Sequence, residues 1–559
     1  MKLTGAQIVI ETLIEQGADT VFGYPGGAVL NLYDALYQNS DRIRHVLAAH
    51  EQGATHAADG FSRATGKVGV VIATSGPGAT NLITGIATAM LDSVPMVAIT
   101  GNVSCDLIGR DSFQEIDITG VTLPITKHNY FANDITQLAD IIREAFRIAR
   151  SGRPGPVLID IPKDVQTAVY DFEPQPIAPK FPNAIAPDDK IAEAAALLAA
   201  AERPYIYIGG GVVGADLSED VLALAEKTDA VVGGSLMGLS AIPTKHPRFL
   251  GMQGMHGHYA SSMAQSEADL VLAVGVRFSD RATGNKKKFA ANCKIIHLDV
   301  DFAELNKNIP ALVGISGDIT DAFRRLAAAT PAATRPAWQA RIAELRAAEE
   351  AAYQAAESEH FTPKRAIEIM NETITPDTVY VTDVGQHQMW AAQFCEFRQV
   401  RRFASSGGLG TMGFGLGAAI GAEIGSESPT VLITGDGSFG MNLNELATAA
   451  SQNCNLKIVI FNNGVLGMVR QWQTLFYGKR YSSTTLNRKT DFVKLAEAFG
   501  IPAVRTASEA EFETAFKTAF ATDGPYLIDC TIDPDEFVLP MLPPGGSIDD
   551  IITEKKGEK

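Results

Sequence analysis

Residues 431–463, VLITGDGSFGMNLNELATAASQNCNLKIVIFNN, constrain the fold more than any other stretch of the chain. A short apolar run, Val431 to Ile433, leads into the turn Gly435-Asp436-Gly437. Leu443, Leu446, Ala447 and Ala450 follow at helical spacing. A second apolar run, Ile458 to Phe461, closes in Asn462-Asn463. The pattern predicts strand, turn, helix and parallel strand, with polar groups at both carboxyl ends, where parallel α/β sheets bind their ligands. Asp436 offers a carboxylate there and Asn463 an amide oxygen. Both suit a hard cation such as Mg²⁺, yet they are too few for an all-protein cage. A diphosphate would supply the missing oxygens, and the cation would offset its repulsion from Asp436. An Asp in a turn or an Asn closing a strand is ordinary when taken singly; the spacing around one helix is what informs.

The rest of the chain has the same texture. Strands are predicted at 20–22, 44–48, 69–73, 96–100 and 157–161, alternating with helical patterns, so residues 1–170 read as a parallel sheet with helices on both faces. Segment 68–89 repeats the strand–Gly turn–helix plan of 430–450 without a carboxylate at the place of Asp436. One metal site per chain is expected, on the later copy. Residues 171–187 contain five prolines and read as a linker. Residues 188–330 form a second α/β unit. In it a strand at 205–208 runs into Gly209-Gly210-Gly211-Val212-Val213-Gly214, a GxGxxG match that would present amides to a phosphate. A strand at 270–274 leads to Gly275 and Arg277-Phe278-Ser279-Asp280-Arg281, and one at 294–298 ends at Asp299, where an acid can hold a ribose hydroxyl. Residues 331–360, rich in Ala, Glu and Arg, read as a helical connection. Residues 361–535 read as a third α/β unit, and 536–559 as a tail without a core period that would serve as a lid. The expected fold class is α/β, with three doubly wound parallel-sheet domains.

Composition removes several function classes. A formal net charge of −17 opposes nucleic-acid binding, which needs a basic surface. The two long uncharged runs, 68–91 and 403–422, are rich in Gly, Ser and Thr and read as buried α/β units rather than membrane spans. Glu11 and Glu15 interrupt the first apolar stretch, so no signal peptide is expected. Five well-separated cysteines suit a reducing compartment, and a cytoplasmic protein is expected.

GDG…NN, together with Glu51 inside HEQGATHAADGFSRATGK, resembles the thiamine-diphosphate enzymes. The Gly209–Gly211 run, Gly254-Met255-His256-Gly257, the 277–281 stretch and Gly467-Met468-Val469-Arg470-Gln471-Trp472 narrow the resemblance to the acetohydroxyacid (acetolactate) synthase catalytic subunits. It covers nearly the whole chain. The resemblance implies decarboxylation of pyruvate and condensation of the two-carbon unit with pyruvate or 2-ketobutyrate. The resulting acetohydroxy acids serve valine, leucine and isoleucine biosynthesis. It implies thiamine diphosphate, Mg²⁺ and a structural FAD, a homodimer or tetramer whose sites lie between chains, and a small regulatory subunit.

Residue roles follow from the same resemblance. Glu51 would hydrogen-bond a pyrimidine nitrogen of the cofactor, with Gly27, Gln114 and Lys163 also in the catalytic set. The metal would take Asp436, Asn463 and the carbonyl of Val465. Thiamine diphosphate would meet Tyr24, Pro25 and Gly26, Gln386 and His387 at the diphosphate, and Gly410, Gly435, Gly437, Ser438 and Met468, with Met412 propping it into its bent form. Ala28, Phe113, Val469 and Trp472 would contact substrate. FAD would take Gly209, Gly210, Gly211, Met255, His256, Gly275, Arg277, Asp280, Arg281, Asp299 and Asp318. Ser279 departs from the flavin motif, which usually has two adjacent acids. A catabolic acetolactate synthase lacks FAD, and a glyoxylate carboligase lacks the carboxylate that Glu51 supplies. A non-enzymatic nucleotide-binding regulator would have no use for the intact Glu51, Asp436 and Asn463 set.

Overall fold

Strongly apolar, β-branched runs alternate with amphipathic ones, and in the computed structural model they build three six-stranded sheets; the structure describes residues 1–291, 293–355 and 360–554. The first sheet uses β2 (Thr20–Tyr24), β3 (Arg44–Leu47), β4 (Gly69–Ala73), β5 (Met96–Asn102), β6 (His128–Phe131) and β7 (Pro156–Pro162). A short antiparallel ribbon of β1 (Lys2–Thr4) and β8 (Val169–Asp171) ties the two ends of this domain together. The second sheet uses β9 (Pro204–Ile208), β10 (Val231–Gly234), β11 (Phe249–Met252), β12 (Leu270–Val274), β13 (Lys294–Asp299) and β14 (Val313–Ser316). The third uses β15 (Val379–Thr382), β16 (Phe403–Ala404), β17 (Thr430–Gly435), β18 (Leu456–Asn462), β19 (Ala503–Thr506) and β20 (Tyr526–Thr531).

Every neighbouring pair within the three sheets is parallel. Parallel strands need both faces covered, and the side chains confirm it. In β4, Val70 and Ile72 enter one apolar cluster while Val71 and Ala73 enter another. In β17, Val431 and Ile433 face one core and Leu432 the other. The first and third sheets share one strand order, β3-β2-β4-β5-β7-β6 and β16-β15-β17-β18-β20-β19, which is the repetition seen between 68–89 and 430–450. The middle sheet runs β11-β10-β9-β12-β13-β14, the order of dinucleotide-binding folds.

Several local expectations need correction. Gly435 ends β17 and Asp436 opens a helix, Asp436–Asn442, rather than lying in a turn. The single helix expected after it is two pieces, with Leu446–Ser451 set off by a 3-10 turn at Leu443–Glu445. β6 was not anticipated, and β8 carries the first domain one residue into the expected linker. The tail is not coreless, because Val538, Met541 and Leu542 are buried. Residues 356–359 and 555–559, within the expected connection and tail, lie outside the described residues.

First and third domains meet through two helices, Glu51–Thr65 and Phe414–Ser426. Their glycines allow near-contact of backbones. A Cβ on Gly60 would lie 2.0 Å from the Ala418 carbonyl oxygen, and one on Gly421 would lie 1.8 Å from that of Ala57. That packing explains the long uncharged run 403–422 without a bilayer. Among the described residues no helix is long and apolar enough to cross a membrane.

Candidate active site

In the first and third sheets the strand order reverses direction between their first and third strands. Polar groups gather at these two switch points, where doubly wound sheets leave a crevice. In the third domain the register pairs Gly435 with Phe461, so Asp436 and Asn463 emerge from adjacent strand ends. The Asp436 carboxylate accepts the amides of Gly437 and Gly464, and burial pushes its pKa up to about 6. Asn463 Oδ1 accepts the Val465 amide at 3.1 Å, and its Nδ2 points to Gln386 Oε1 at 3.4 Å. Ser438 Oγ donates to the Val384 carbonyl at 2.8 Å.

His387 lies in the same crevice. A Cβ on Gly435 would sit 2.8 Å from its Nδ1, so only glycine leaves the ring room. Burial holds the imidazole neutral, with its pKa lowered to about 3, and Nε2 has no partner among the described residues. Met412 reaches the same place, its Cε lying 3.9 Å from a side chain built at Gly437. Gly410, in the left-handed region, lies in the exposed loop just before it. Met468, Val469 and Trp472 share the helix Gly467–Phe476. Met468 packs on the core, while Val469 is exposed.

These groups fit a cation shared with a diphosphate. Among the described residues no cluster of three or more His, Cys, Asp or Glu side chains forms a metal cage. A cation at Asp436 and Asn463 would therefore take further oxygens from a carbonyl and a bound phosphate. Its charge would reverse the upward push on Asp436.

The first domain gathers the second group. Tyr24 ends β2, and Pro25 to Ala28 turn over β4, with the Ala28 amide donating to Thr74 Oγ1 at 3.2 Å. A Cβ on Gly26 would collide with Thr74 at 2.5 Å, whereas Gly27 faces open space. Glu51 begins the helix Glu51–Thr65, and its Oε2 accepts Asn81 Nδ2 at 2.9 Å. Gln114, in the left-handed region, covers the turn at Gly76. Phe113 is 87% exposed, and Lys163 opens a short helix after β7. No hydrogen bond among the described residues joins Glu51 to Asp436 or Asn463 within this chain.

Sequence reasoning missed two carboxylate partners here. Asn81 orients Glu51. Glu445, buried in the third domain, accepts the amides of Ala49 at 3.1 Å and His50 at 2.9 Å, just ahead of Glu51. An acid directly before the apolar positions Leu446, Ala447, Ala449 and Ala450 was the available signal for Glu445.

The middle sheet brings most of the third group together. Gly209 follows β9, and a Cβ there would lie 2.1 Å from the carbonyl oxygen of Gly275, just past the neighbouring end of β12. Gly210 and Gly211 open the short helix that follows. Asp299, at the end of β13, accepts the Asp301 amide, and burial pushes its pKa up to about 6. Asp318 caps the helix Ile319–Ala329. His256 is buried with Nδ1 unpartnered, as is Nε2 of the nearby Gln253. Met255 donates its amide to the Arg281 carbonyl at 2.8 Å. Arg277 is half-buried and Asp280 exposed. The Arg281 side chain leaves this group and stacks over Trp472 of the third domain, 5.7 Å from the ring centre.

Residues 3–121, 191–326 and 383–530 match the N-terminal TPP binding domain, the central domain and the C-terminal TPP binding domain of the family described as thiamine pyrophosphate enzyme. The chain is 47% identical to a probable acetolactate synthase large subunit of Methanocaldococcus jannaschii, over 98% of this chain and 95% of that protein. It is 46% identical to the acetolactate synthase isozyme 2 large subunit of Escherichia coli, over 98% of each. It is also 46% identical to the acetolactate synthase large subunit of Corynebacterium glutamicum, over 98% of this chain and 90% of that one.

Proposed function

The chain belongs to the thiamine pyrophosphate enzymes and, within them, to the acetolactate synthase large subunits, and from that premise we propose that it makes acetolactate from pyruvate, and acetohydroxybutyrate when 2-ketobutyrate is the second substrate. The observation that carries this reading is the pairing of Asp436 and Asn463 at adjacent strand ends, beside the unpartnered His387 Nε2.

Thiamine diphosphate, when bound, supplies the centre that stabilises the electron pair released by decarboxylation. The chain's own residues do the rest. Asp436, Asn463 and the Val465 carbonyl would hold Mg²⁺ against the diphosphate. Gln386, His387 and Ser438 line that end. Glu51, with Oε2 fixed by Asn81, has Oε1 left to bind a ring nitrogen of the pyrimidine and hold the proton there. Val469 and Trp472 offer apolar surface to the second keto acid, and the Arg281 cation beside the indole suits its carboxylate. Gly27, Gln114, Lys163 and Phe113 border the approach to Glu51.

FAD would lie across the β9/β12 switch point, its phosphates on Gly209–Gly211. The close backbone approach there, and the orphaned His256 and Gln253 nitrogens, support that placement. A small regulatory partner is proposed because the relatives are named large subunits. A cytoplasmic homodimer or tetramer is part of the same reading. Incubation with pyruvate, Mg²⁺ and thiamine diphosphate, with and without FAD, tests it. Acetolactate should accumulate, and pyruvate left unconsumed under all conditions would refute the activity.

A further inference from the structure

The loop between β16 and the helix Phe414–Ser426 contains Gly410 and Met412, and it is gripped from two sides, by its own domain and by the first. Asp92 is the last residue of the helix Ile83–Asp92 in the first domain. A carboxylate at a helix C-terminus faces the negative end of the helix dipole, and this side chain is fully buried. Such a position is unfavourable unless donors surround the oxygens. Asp92 Oδ2 accepts the Gly407 amide at 3.0 Å, and Oδ1 accepts the Gly408 amide at 2.7 Å. Arg63 Nη2 donates to Oδ2 at 3.0 Å.

Arg63 is itself buried. It pairs with the fully buried Asp59 one turn back in its own helix and donates through Nη1 to the Ser405 carbonyl at 2.9 Å. Two carboxylates thus share one guanidinium, and the glycine amides take up the surplus negative charge. Further along the loop, the Thr88 and Thr411 hydroxyls meet at 2.8 Å. The loop is also fixed by its own domain: Gln388 donates to Ser405 Oγ and to the Ser406 carbonyl, and Asp383 Oδ1 accepts the Gly413 amide. A side chain would crowd both gripped residues, most firmly at Gly408, where the Leu91 carbonyl oxygen also stands 2.9 Å from a Cβ. A Cβ on Gly408 would lie 2.8 Å from Asp92 Oδ1, and one on Gly407 would lie 2.5 Å from Met237 Sδ of the middle domain.

We propose that Asp92 is a positioning residue: by holding the consecutive amides of Gly407 and Gly408 it sets the loop that carries Met412 beneath the cofactor. This rests on the cofactor placement proposed above. An ordinary interdomain ion pair would need only Arg63 and its carboxylates. Two charge-assisted bonds to successive loop amides fix the backbone itself.

The test is Asp92→Asn, which removes the charge and one of the two acceptors. The wild-type and variant chains are compared for amide exchange over residues 405–412, for affinity toward thiamine diphosphate with Mg²⁺, and for KM toward pyruvate at saturating cofactor. Exchange should accelerate and cofactor affinity should fall, each by about ten- to a hundredfold, the range of a lost bond to a charged group. KM should stay near the wild-type value, and the melting temperature should fall with the broken buried pair. If Asp92→Asn does not fold, Gly408→Ala displaces the loop from Asp92 and should give the same pair of changes. A folded variant with unchanged exchange and unchanged cofactor affinity overturns the proposal. So does a lowered melting temperature with cofactor affinity unchanged, because Asp92 is then merely structural. If the wild-type chain itself binds no thiamine diphosphate, the functional reading fails instead, and loop exchange still decides whether Asp92 holds 405–412.

Discussion

Glu51 combines two requirements that a single side chain meets poorly. It must keep a charge beside a cofactor ring and hold a fixed direction. Asn81 settles the direction by taking Oε2, and Glu445 fixes the backbone just before it. Glu51→Gln keeps size and hydrogen bonding but removes the charge. Turnover should fall roughly 10²–10⁴-fold while the cofactor still binds; steady-state rates and calorimetry on one preparation read both, and near-normal turnover would remove Glu51 from the mechanism. Trp472 raises a different question, because the two second substrates differ by one methylene. Such a difference is worth about 1–3 kcal/mol in an apolar site. Trp472 lies edge-on to Phe476 and under Arg281, at the surface of its helix rather than in the core. Trp472→Leu should leave acetolactate formation in place and lower the preference for 2-ketobutyrate roughly tenfold or more. A competition assay with both keto acids measures the two products, and an unchanged ratio would return the indole to a packing role.

Among the elements, strands were the most legible from sequence. Runs such as Gly69–Ala73 and Leu270–Val274 are apolar throughout because both faces are covered. The helix after β17 was legible as helical but not as broken, since nothing in its period marks the 3-10 turn that lets Glu445 reach the first domain. β6 was hidden because its exposed and half-buried positions carry His, Asn and Tyr at the sheet edge. The site residues at GDG and NN were visible because they terminate strands. Asn81 and Asp92 were not, since Asn81 meets Glu51 and Asp92 meets Gly407 and Gly408 only through the fold. β7 also contains a buried acid with a measurable consequence. Asp160 accepts Thr100 Oγ1 at 2.7 Å and Asn102 Nδ2 at 2.6 Å, yet burial still pushes its pKa from 3.8 up to about 6. A raised carboxyl pKa means that the folded state prefers the protonated form. Its contribution is therefore full below about pH 4 and is lost as pH rises through about 6, by at most about 3 kcal/mol. In Asp160→Asn the amide can accept from Asn102 and donate to the Thr100 hydroxyl. The variant should gain stability relative to wild type as pH rises from about 4 to about 6, and denaturant melts across that interval test it. A difference that does not change with pH would show that Asp160 titrates normally.

At the scale of the whole molecule, the two halves of the proposed site lie on different domains, and each borders uncovered apolar surface. Around Glu51 the exposed residues include Tyr24, Leu30, Leu47 and Phe113, and around Asp436 they include Met441 and Val469. Exposed apolar residues here would suit the contact that the proposed homodimer needs. Within one chain, the contact between first and third domains is already filled by the glycine-packed helices Glu51–Thr65 and Phe414–Ser426. A second copy related by a two-fold axis would place the Glu51 end of each chain against the Asp436 end of the other and complete two equivalent sites. Mixing defective chains tests this directly. Glu51→Gln and Asp436→Ala should each be inactive alone, the first for want of the charge and the second for want of the metal ligand. In a mixed dimer, one site would combine both defects. The other would combine the intact Glu51 of one chain with the intact Asp436 of its partner. Random exchange of equal amounts makes half of the dimers mixed, each with one working site of two, so activity should recover to about a quarter of the wild-type value. The measurement is acetolactate formation after the two variants are unfolded together and refolded, with each variant refolded alone as the control. If Glu51 and Asp436 served the same site within one chain, every chain in the mixture would carry a lethal defect and no activity would return.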